Sequence, residues 1–311
     1  MRNQWLNVLN GCLIFRRRKS EAALRTNTPR VRTSMTQLLA WMFLTLAAST
    51  ALMPLYWMVT GSFKVQMDAM KTPPEWFPEN PTTDNYRKLF RDGQSMTGHR
   101  PAARWLINSI LVAGSIAISA VLTSALAGYA LGKKRFPGRA LLFWMIVVTM
   151  MLPKQVSLIP LFLLVRKLNW IDTYPGLIAP YLCFPFGVFL VRQFMQQIPD
   201  EMLAAARIDG AGEWGVFWHV VLPMSRPALG AVAIFSFMGA WNEYLWQLIV
   251  TNRPEMYTLP VGVSKMVSTL GSYDLGLAMA GATIAFIPML IVFVTFQKYF
   301  VRGLSMGALK G

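Results

Sequence analysis

The sequence predicts an all-α, polytopic membrane protein with six transmembrane helices. Of its 311 residues, 54% are hydrophobic and only 14% are charged, whereas about a quarter of the residues in soluble domains are charged. The apolar residues gather in six runs of roughly twenty residues or more, the length that crosses a bilayer as a helix. No run shows the ten-residue alternation that is typical of an outer-membrane barrel strand. The class is therefore a helical membrane protein.

The six predicted spans divide the chain into three parts. A basic N-terminal tail covers residues 1–35, a membrane domain covers 36–300, and a C-terminal tail covers 301–311. In the N-terminal tail, an apolar helical face against lipid and a disordered segment remain alternatives. The spans themselves are predicted at 36–62, 105–132, 139–165, 176–195, 228–250 and 276–300.

The distribution of charge predicts the orientation of the chain. Of its 30 lysines and arginines, 18 fall in segments that are inside if both termini are cytoplasmic. Short basic segments such as 1–35 and Lys133–Arg135 stay on the cytoplasmic side of a membrane. The net charge of +16 is thus explained by orientation and by anionic lipid headgroups, and we expect no nucleic acid partner.

Prolines and glycines predict where the spans bend and pack. The Gly128–Gly132 pair, spaced for close helix packing, is interpreted as structural. The prolines in the external segment 63–104 make a long helix there improbable. Further prolines within or beside spans predict kinks that need protein or water to satisfy the freed carbonyls; they are Pro153, Pro160, Pro180, Pro185 and Pro288.

A polar loop, residues 199–227, lies between the fourth and fifth predicted spans. Its Ala-rich start, with Asp200 placed to cap a helix N-terminus, predicts a short helix. Asp209 and Gly210 then predict a turn, with Gly210 in the left-handed conformation. The segment from Glu213 to Leu222 predicts a second helix that Pro223 stops. A helix-turn-helix exceeds what a simple connection needs, so we expect a protein outside the membrane to bind it.

The spacing within the polar loop resembles the signature of a known family. Ala205-Ala206, three residues, Gly210, nine residues, Val220, one residue and Leu222-Pro223 reproduce the signature loop of permease subunits of binding-protein-dependent ABC importers. The fuller run through Ala211 and Phe217-Trp218 resembles the carbohydrate-uptake branch, similar to the second permease for maltose, glycerol phosphate and oligosaccharides. The resemblance extends from about Leu38 onward and includes the segments 241–246 and 302–304.

The resemblance implies a multi-pass subunit of the bacterial cytoplasmic (inner) membrane that helps to import a sugar or oligosaccharide. Its implied partners are a second homologous permease, two ATPase subunits and an extracytoplasmic binding protein. ATP and Mg²⁺ would be bound by the ATPase subunits, and this chain would bind no cofactor. An acidic saccharide or a sugar phosphate is the alternative substrate. The C-terminal tail is implied to reach the ATPase dimer interface, with an unstructured end as the alternative.

One position departs from the family pattern. Relatives usually have Glu before the two alanines, whereas this chain has Ala204. That Glu is understood to pair with a basic residue of the ATPase subunit. Glu201, three residues earlier on nearly the same helical face, is a candidate replacement. Alternatively, Glu201 is only a first-turn acid stabilised by the helix dipole. The predicted residues that couple the chain to the ATPase are Glu201, Ala204, Ala205, Ala206, Asp209, Gly210 and Ala211.

Polar residues inside the predicted spans suggest a translocation pathway, because charges at membrane depth normally face a cavity or a partner. Lys154 and Glu243 each lie fifteen residues into their predicted spans, which favours an ion pair between them. Free, independent side chains that bind an acidic saccharide and sugar hydroxyls are the rival interpretation. The aromatic residues beside Glu243 could stack on a sugar ring or form an interfacial belt. The predicted pathway residues are Lys154, Gln155, Trp241, Asn242, Glu243 and Tyr244.

The sequence offers little support for an enzyme. The string from Gly128 to Lys134 has the wrong spacing for an ATP phosphate-binding loop and lacks its hydroxyl residue. The only two histidines, His99 and His219, are predicted on opposite sides of the membrane, which disfavours a metal centre. A membrane-embedded enzyme is therefore a remote alternative, and a receptor or structural scaffold does not account for the spacing of the polar loop.

Overall fold

The computed structural model describes residues 35–90, 101–269 and 274–308. Within these ranges the secondary structure is helical and contains no strand, so the prediction of an all-α fold is confirmed there. The chain divides into two compact units after Leu55, and each is described by itself. The interpretations of the N-terminal tail and of His99 fall outside the described residues.

The first unit is a single stretch of apolar helix. It comprises the described residues 35–55, which form most of helix α1 (Met35–Ser62). Every side chain from Met35 to Pro54 is exposed, including the aromatic side chains of Trp41 and Phe43. So much exposed apolar surface is unfavourable in water and is expected of a helix that faces lipid.

The second unit holds the end of α1 and all the other described helices. Two short helices, α2 (Gln66–Ala69) and α3 (Asp84–Phe90), follow α1, so the proline-rich external segment lacks a long helix in its described part, as predicted. The remaining helices are α4 (Pro101–Lys133), α5 (Arg139–Thr149), α6 (Lys154–Lys167), α7 (Tyr174–Ile178), α8 (Pro185–Gln196), α9 (Asp200–Ile208), α10 (Glu213–Val216), α11 (Leu222–Met224), α12 (Arg226–Trp241), α13 (Leu245–Val250), α14 (Leu259–Thr269) and α15 (Leu275–Ala308).

Three of the described helices are each long and apolar enough to cross a membrane, namely α1, α4 and α15. They correspond to the first, second and sixth predicted spans. Three further pairs of helices meet the same criterion only together, each bent at a short break, so the number rises to as many as six if every bent pair is one span. The count of six spans therefore stays a prediction.

The third, fourth and fifth predicted spans are not continuous helices. The span predicted at 139–165 breaks before Pro153 and turns by 96° between α5 and α6. The span predicted at 176–195 bends by 41° before Pro185. Both breaks occur where a proline removes a backbone donor and its ring excludes a continuing helix.

The prediction of one helix over 228–250 was wrong for a different reason, since this segment contains no proline. Helix α12 ends at Trp241 and α13 begins at Leu245. Between them the Glu243 side chain accepts a hydrogen bond from the Trp246 amide at 3.4 Å, which satisfies a first-turn donor of α13. At the other end of the chain, the backbone of α15 continues to Ala308, past the boundary predicted at 300.

Helices α4, α8 and α12 pack against one another and form the centre of the second unit. A Cβ added at Gly128 would lie 2.7 Å from Val191 Cγ1 and 3.2 Å from the Arg192 amide nitrogen. Helices α4 and α8 are therefore in close backbone contact at this glycine, which confirms the structural interpretation of the Gly128–Gly132 pair.

Candidate functional site

The polar loop folds as two helices joined by a tight turn, as predicted. Helix α9 covers Asp200–Ile208, and Gly210 follows with φ of 89°. The Ala211 amide donates to the Ala206 carbonyl at 2.9 Å, which closes the turn in the manner of a helix C-terminus. The glycine is needed because residues with a Cβ rarely adopt this φ.

The capping role predicted for Asp200 was wrong. Pro199 occupies the N-cap position and Asp200 is the first helical residue. Its carboxylate instead accepts a hydrogen bond from Lys133 Nζ at 2.6 Å. The side chain thus joins the loop to the end of α4.

The prediction that Pro223 stops the second helix was also wrong. Helix α10 passes into a π-helical turn at Phe217–Val221 and continues as α11 to Met224. In that wide turn the Leu222 amide donates to the Phe217 carbonyl, five residues earlier, a pattern in which Pro223 is accommodated. The chain then bends by 74° at Ser225 into α12.

One face of the polar loop is buried and the other is open. Leu203, Val216, Phe217 and Val221 are buried together against α4 and α8. On the open face, Ile208 is 87% exposed and Trp214 is 67% exposed. Exposed apolar side chains of this size, collected on one loop, are typical of a surface that a partner covers.

The residues predicted to couple the chain to a partner lie on or beside the open face. The side chains of Glu201, Ala204, Ala205 and Asp209 are exposed, and Ala206 and Ala211 are half-buried. Around Gly210, a Cβ would meet nothing within 4 Å. Glu201 forms no ion pair with any residue that the structure describes, so its carboxylate is available to an external cation.

Sequence reasoning missed a network of ion pairs behind the open face. Lys133 contacts Asp200, and Lys134 forms an ion pair with Glu213. These hydrogen bonds lower the pKa of the Asp200 carboxyl and of the Glu213 carboxyl below their ordinary values. Both carboxylates are therefore charged at neutral pH. Partners so far apart in the sequence leave no local signal that could have revealed the network.

A cavity of about 600 Å³ lies among the broken helices. All three breaks contribute to its wall, through Met150 and Leu152, through Cys183 and Phe184, and through Glu243. Irregular backbone at membrane depth persists only where protein or water satisfies it. The breaks thus border a cavity whose volume is in the range of small-molecule sites.

Lys154 and Glu243 form an ion pair in this cavity, as predicted from the sequence. Lys154 Nζ lies 3.6 Å from Glu243 Oε2 and 5.5 Å from the centre of the Tyr181 ring. Tyr181, which the sequence analysis missed, lines the same cavity. The Lys154 side chain is 74% exposed and the Glu243 side chain 18% exposed, so the cation is the more accessible partner.

Of the other four predicted pathway residues, one lines the cavity and three do not. Gln155 lines the cavity. Trp241 is buried, and its Nε1 donates to the Ala285 carbonyl at 3.1 Å. Asn242 is near the Met289 sulfur and Tyr244 hydrogen-bonds Ser264, so these three side chains point elsewhere. Aromatic residues that do line the cavity were missed by the sequence analysis, and they are Tyr181, Phe184, Phe186, Phe235 and Trp246.

Comparisons with known proteins agree with this architecture. Residues 98–306 match the family described as "Binding-protein-dependent transport system inner membrane component". The chain is 35% identical over 263 residues, 84% of its length and 91% of the relative, to the arabinooligosaccharides transport system permease protein AraQ of Bacillus subtilis. It is 40% identical over 205 residues, 66% of its length and 73% of the relative, to the sn-glycerol-3-phosphate transport system permease protein UgpE of Yersinia pestis.

A solved structure shares the fold. It is a chain of a bacterial ABC transporter involved in the import of the acidic polysaccharide alginate, with a TM-score of 0.74 and 24% sequence identity. The similarity covers 88% of the present chain and 100% of that chain. At 24% sequence identity, the similarity shows a shared fold and nothing more.

Proposed function

Because the chain belongs to the family of binding-protein-dependent transport system inner membrane components, we propose that it is one of two permease subunits of an ATP-driven sugar importer. The observation that carries the proposal is the open face of the polar loop, a helix-turn-helix with small and apolar side chains exposed. Two such permeases would enclose the pathway between them. An extracytoplasmic binding protein would deliver a sugar or oligosaccharide to it.

The polar loop is the proposed site for an ATPase subunit. Ala205, Ala206 and Gly210 would let it enter a surface cleft closely, and Glu201 would offer the carboxylate that Ala204 lacks. ATP and Mg²⁺ would be held by the ATPase subunits, so that this chain is a pathway subunit and not an enzyme. Closure of the two ATPase subunits would move the loops together and open the permease pair outward.

The loop and both termini are proposed to face the cytoplasm of the bacterial cell. The concentration of lysine and arginine in the segments 1–35 and 133–139 supports this orientation. The same cations would contact anionic lipid headgroups. With the basic residues used in this way, the chain has no need of a nucleic acid partner to account for its charge.

The central cavity is the proposed contribution of this chain to the pathway. Its aromatic side chains offer flat apolar surfaces, and Lys154, Gln155 and Glu243 offer polar groups to sugar hydroxyls. Because the charges of Lys154 and Glu243 compensate each other, a neutral saccharide fits the cavity best.

The exposed ammonium of Lys154 favours a second candidate, an acidic saccharide or a sugar phosphate. Uptake of a neutral and of a uronic acid oligosaccharide by the Lys154→Met variant distinguishes the two. If Lys154 and Glu243 act as a pair, as a neutral substrate would allow, Lys154→Met combined with Glu243→Gln should be less damaging than the two single changes added together. The second candidate would be supported if Lys154→Met lost uptake of the acidic oligosaccharide alone and the effects of the two changes were additive.

Purification of the chain from its native membrane in mild detergent tests the proposed function. We expect a homologous permease and a nucleotide-binding chain to co-purify, in a ratio of one permease of each kind to two nucleotide-binding chains. Mass spectrometry identifies the chains, and hydrolysis of ATP by the complex measures its activity. A monomer, or a complex without any nucleotide-binding chain, would contradict the proposal.

A further inference from the structure

Two adjacent lysines, at the end of α4 and directly after it, each contact one of the two helices of the polar loop. Lys133 contacts Asp200 at the start of α9, and Lys134 contacts Glu213 at the start of α10. We propose that Lys133 and Lys134 are positioning residues that make α4 follow the polar loop when the ATPase subunits move it. The inference rests on the proposed function, because it assigns the path by which movement of that loop reaches the membrane helices.

The contact of Lys133 is the more enclosed of the two. Its side chain is only 6% exposed, although its sequence position is that of a basic residue at the edge of a membrane. Its Nζ donates to the Ile198 carbonyl and to Asp200 Oδ1. A buried ammonium is stable only when its donors are satisfied. Asp200, whose side chain is 78% exposed, supplies the ionic partner, so separation of the loop from α4 would leave Lys133 without it.

The contact of Lys134 is part of a cluster. Glu213 Oε2 accepts hydrogen bonds from Lys134 and, at 3.1 Å, from the Tyr129 hydroxyl. Arg207 on α9 lies 3.4 Å from the other carboxylate oxygen, and Lys134 Nζ lies 5.1 Å from the centre of the Tyr129 ring. Glu213 therefore connects α10 to α9, to Tyr129 of α4 and to Lys134, the residue that follows α4.

The contacts matter because α4 has no covalent connection to the loop nearby. Lys133 and Asp200 are 67 residues apart in the chain, and Lys134 and Glu213 are 79 apart. By contrast, α8 leads directly into the loop and α12 leads directly out of it. Through the two lysines, α4 joins α8 and α12 as a third helix that is fixed to the loop.

The far end of α4 is fixed equally firmly to another segment. Trp105 Nε1 donates to the Pro254 carbonyl at 2.9 Å, and Asn108 Nδ2 donates to the carbonyls of Glu255 and Tyr257. Ser109 accepts from the Leu259 amide at 2.8 Å. A helix of 33 residues is about 50 Å long, so α4 can carry a displacement of the loop across the membrane to the segment 254–259.

Orientation in the membrane explains the charge of these lysines but not their contacts. Arg135, the next residue, is exposed and forms no ion pair within the described part of the chain. Its charge acts on the Asp200 carboxyl through space and helps to lower the pKa of that group without a hydrogen bond, so Arg135 shares the local charge of the two lysines but not their contacts. The burial of Lys133 and the cluster around Lys134 indicate an additional role, and Arg135 provides a matched control.

Cys183 allows the inference to be tested without knowledge of the transported sugar. It lines the central cavity, and Cys12, the other cysteine of the chain, can be replaced by serine. The experiment measures how fast a membrane-impermeant maleimide modifies Cys183 in the reconstituted complex, by mass spectrometry of its peptide. The rate is compared with and without ATP and vanadate, which trap the closed ATPase dimer.

We expect trapping to increase the labelling rate several-fold in the Cys12→Ser background. The change of both lysines to glutamine should return the rate to its ATP-free value while the ATPase subunits still co-purify. Arginine at both positions should restore most of the increase, and Arg135→Gln should leave it intact. If the double glutamine variant does not assemble, Lys134→Gln alone, at the more exposed site, must reduce the increase.

If the labelling rate of an assembled Lys134→Gln variant still increased fully on trapping, the inference about the two lysines would be overturned, and the proposed function would stand. An equal loss in Arg135→Gln would overturn the inference as well, because a general effect of charge would then suffice. Absence of any ATP-dependent change in the unaltered background, or of co-purifying ATPase subunits, would instead contradict the proposed function and the inference with it.

Discussion

At the scale of the residue, a comparison of Gly210 with Gly212 distinguishes the effect of backbone conformation from the effect of side-chain volume. Both glycines lie in the turn of the polar loop, and a Cβ at either would meet nothing within 4 Å. Gly210 has φ of 89° and Gly212 has φ of −67°. A valine is therefore strained at the first position and unstrained at the second.

We expect Gly210→Val to abolish stimulation of ATP hydrolysis by the binding protein and Gly212→Val to preserve most of it. A non-glycine residue in an unfavourable backbone region costs about 1–3 kcal/mol, enough to displace the turn without unfolding the membrane helices. Hydrolysis by the reconstituted complex gives the measurement. Normal stimulation in an intact Gly210→Val complex would show that the turn has no part in coupling.

The charged residues show what could and could not be predicted from the sequence at this scale. The Lys154–Glu243 pair was predicted from equal depth along two straight helices, yet both residues lie at helix breaks. The two residues nevertheless meet, because both breaks border the same cavity. The direction of Trp241 could not be predicted, since it depends on where α12 ends. The partners of Lys133 and Lys134 could not be predicted, because they lie 67 and 79 residues further along the chain.

At the scale of the element, the contact between α4 and α8 depends on a glycine. Gly128 faces Val191 and the backbone of Arg192, whereas Gly114 on the same helix has no atom within 4 Å of its added Cβ. Since α4 is the helix that we propose moves with the polar loop, its packing against α8 should be sensitive to side-chain volume at Gly128.

We predict that Gly128→Leu destabilises the protein and that Gly114→Leu does not. Overpacking of a well-packed contact costs typically 1–3 kcal/mol, which should lower the midpoint of thermal unfolding of the purified complex by several degrees. Gly114→Leu controls for the change in helix propensity. Equal midpoints for the two variants would mean that α4 and α8 do not pack closely at Gly128.

The apolar runs in the sequence predicted where most helices lie, but not whether each helix is continuous. The ends of α1 and α4 lie within a few residues of their predicted positions because single uninterrupted runs specify them. The 96° turn at Pro153 and the break at Asn242 depend on what the freed backbone can contact. That information is tertiary, so the sequence indicated possible kinks without their angles.

At the scale of the whole molecule, the polar loop and the central cavity belong to the same set of packed helices. The loop is fixed to α4, α8 and α12, and all three helices contribute to the cavity wall. The fold class and the family were recognisable from composition and from the spacing around Gly210. The cavity itself was not, because its wall combines residues from 116 to 246.

The open face of the polar loop is the surface that we propose an ATPase subunit binds. A photoreactive benzoylphenylalanine at Ile208, which is 87% exposed, tests this binding in intact membranes. Trp144 on α5, 61% exposed and similar in size to the probe, is the matched control site outside the loop. Irradiation is followed by mass identification of every polypeptide joined to the chain.

We expect the probe at Ile208 to capture a polypeptide with a glycine-rich ATP phosphate-binding loop and the probe at Trp144 not to capture one. The yield should also change when ATP and vanadate are added, because the loop moves with the ATPase subunit. Capture of the same products at both positions, or of no nucleotide-binding chain at Ile208 in membranes that transport sugar, would show that no ATPase subunit binds this face.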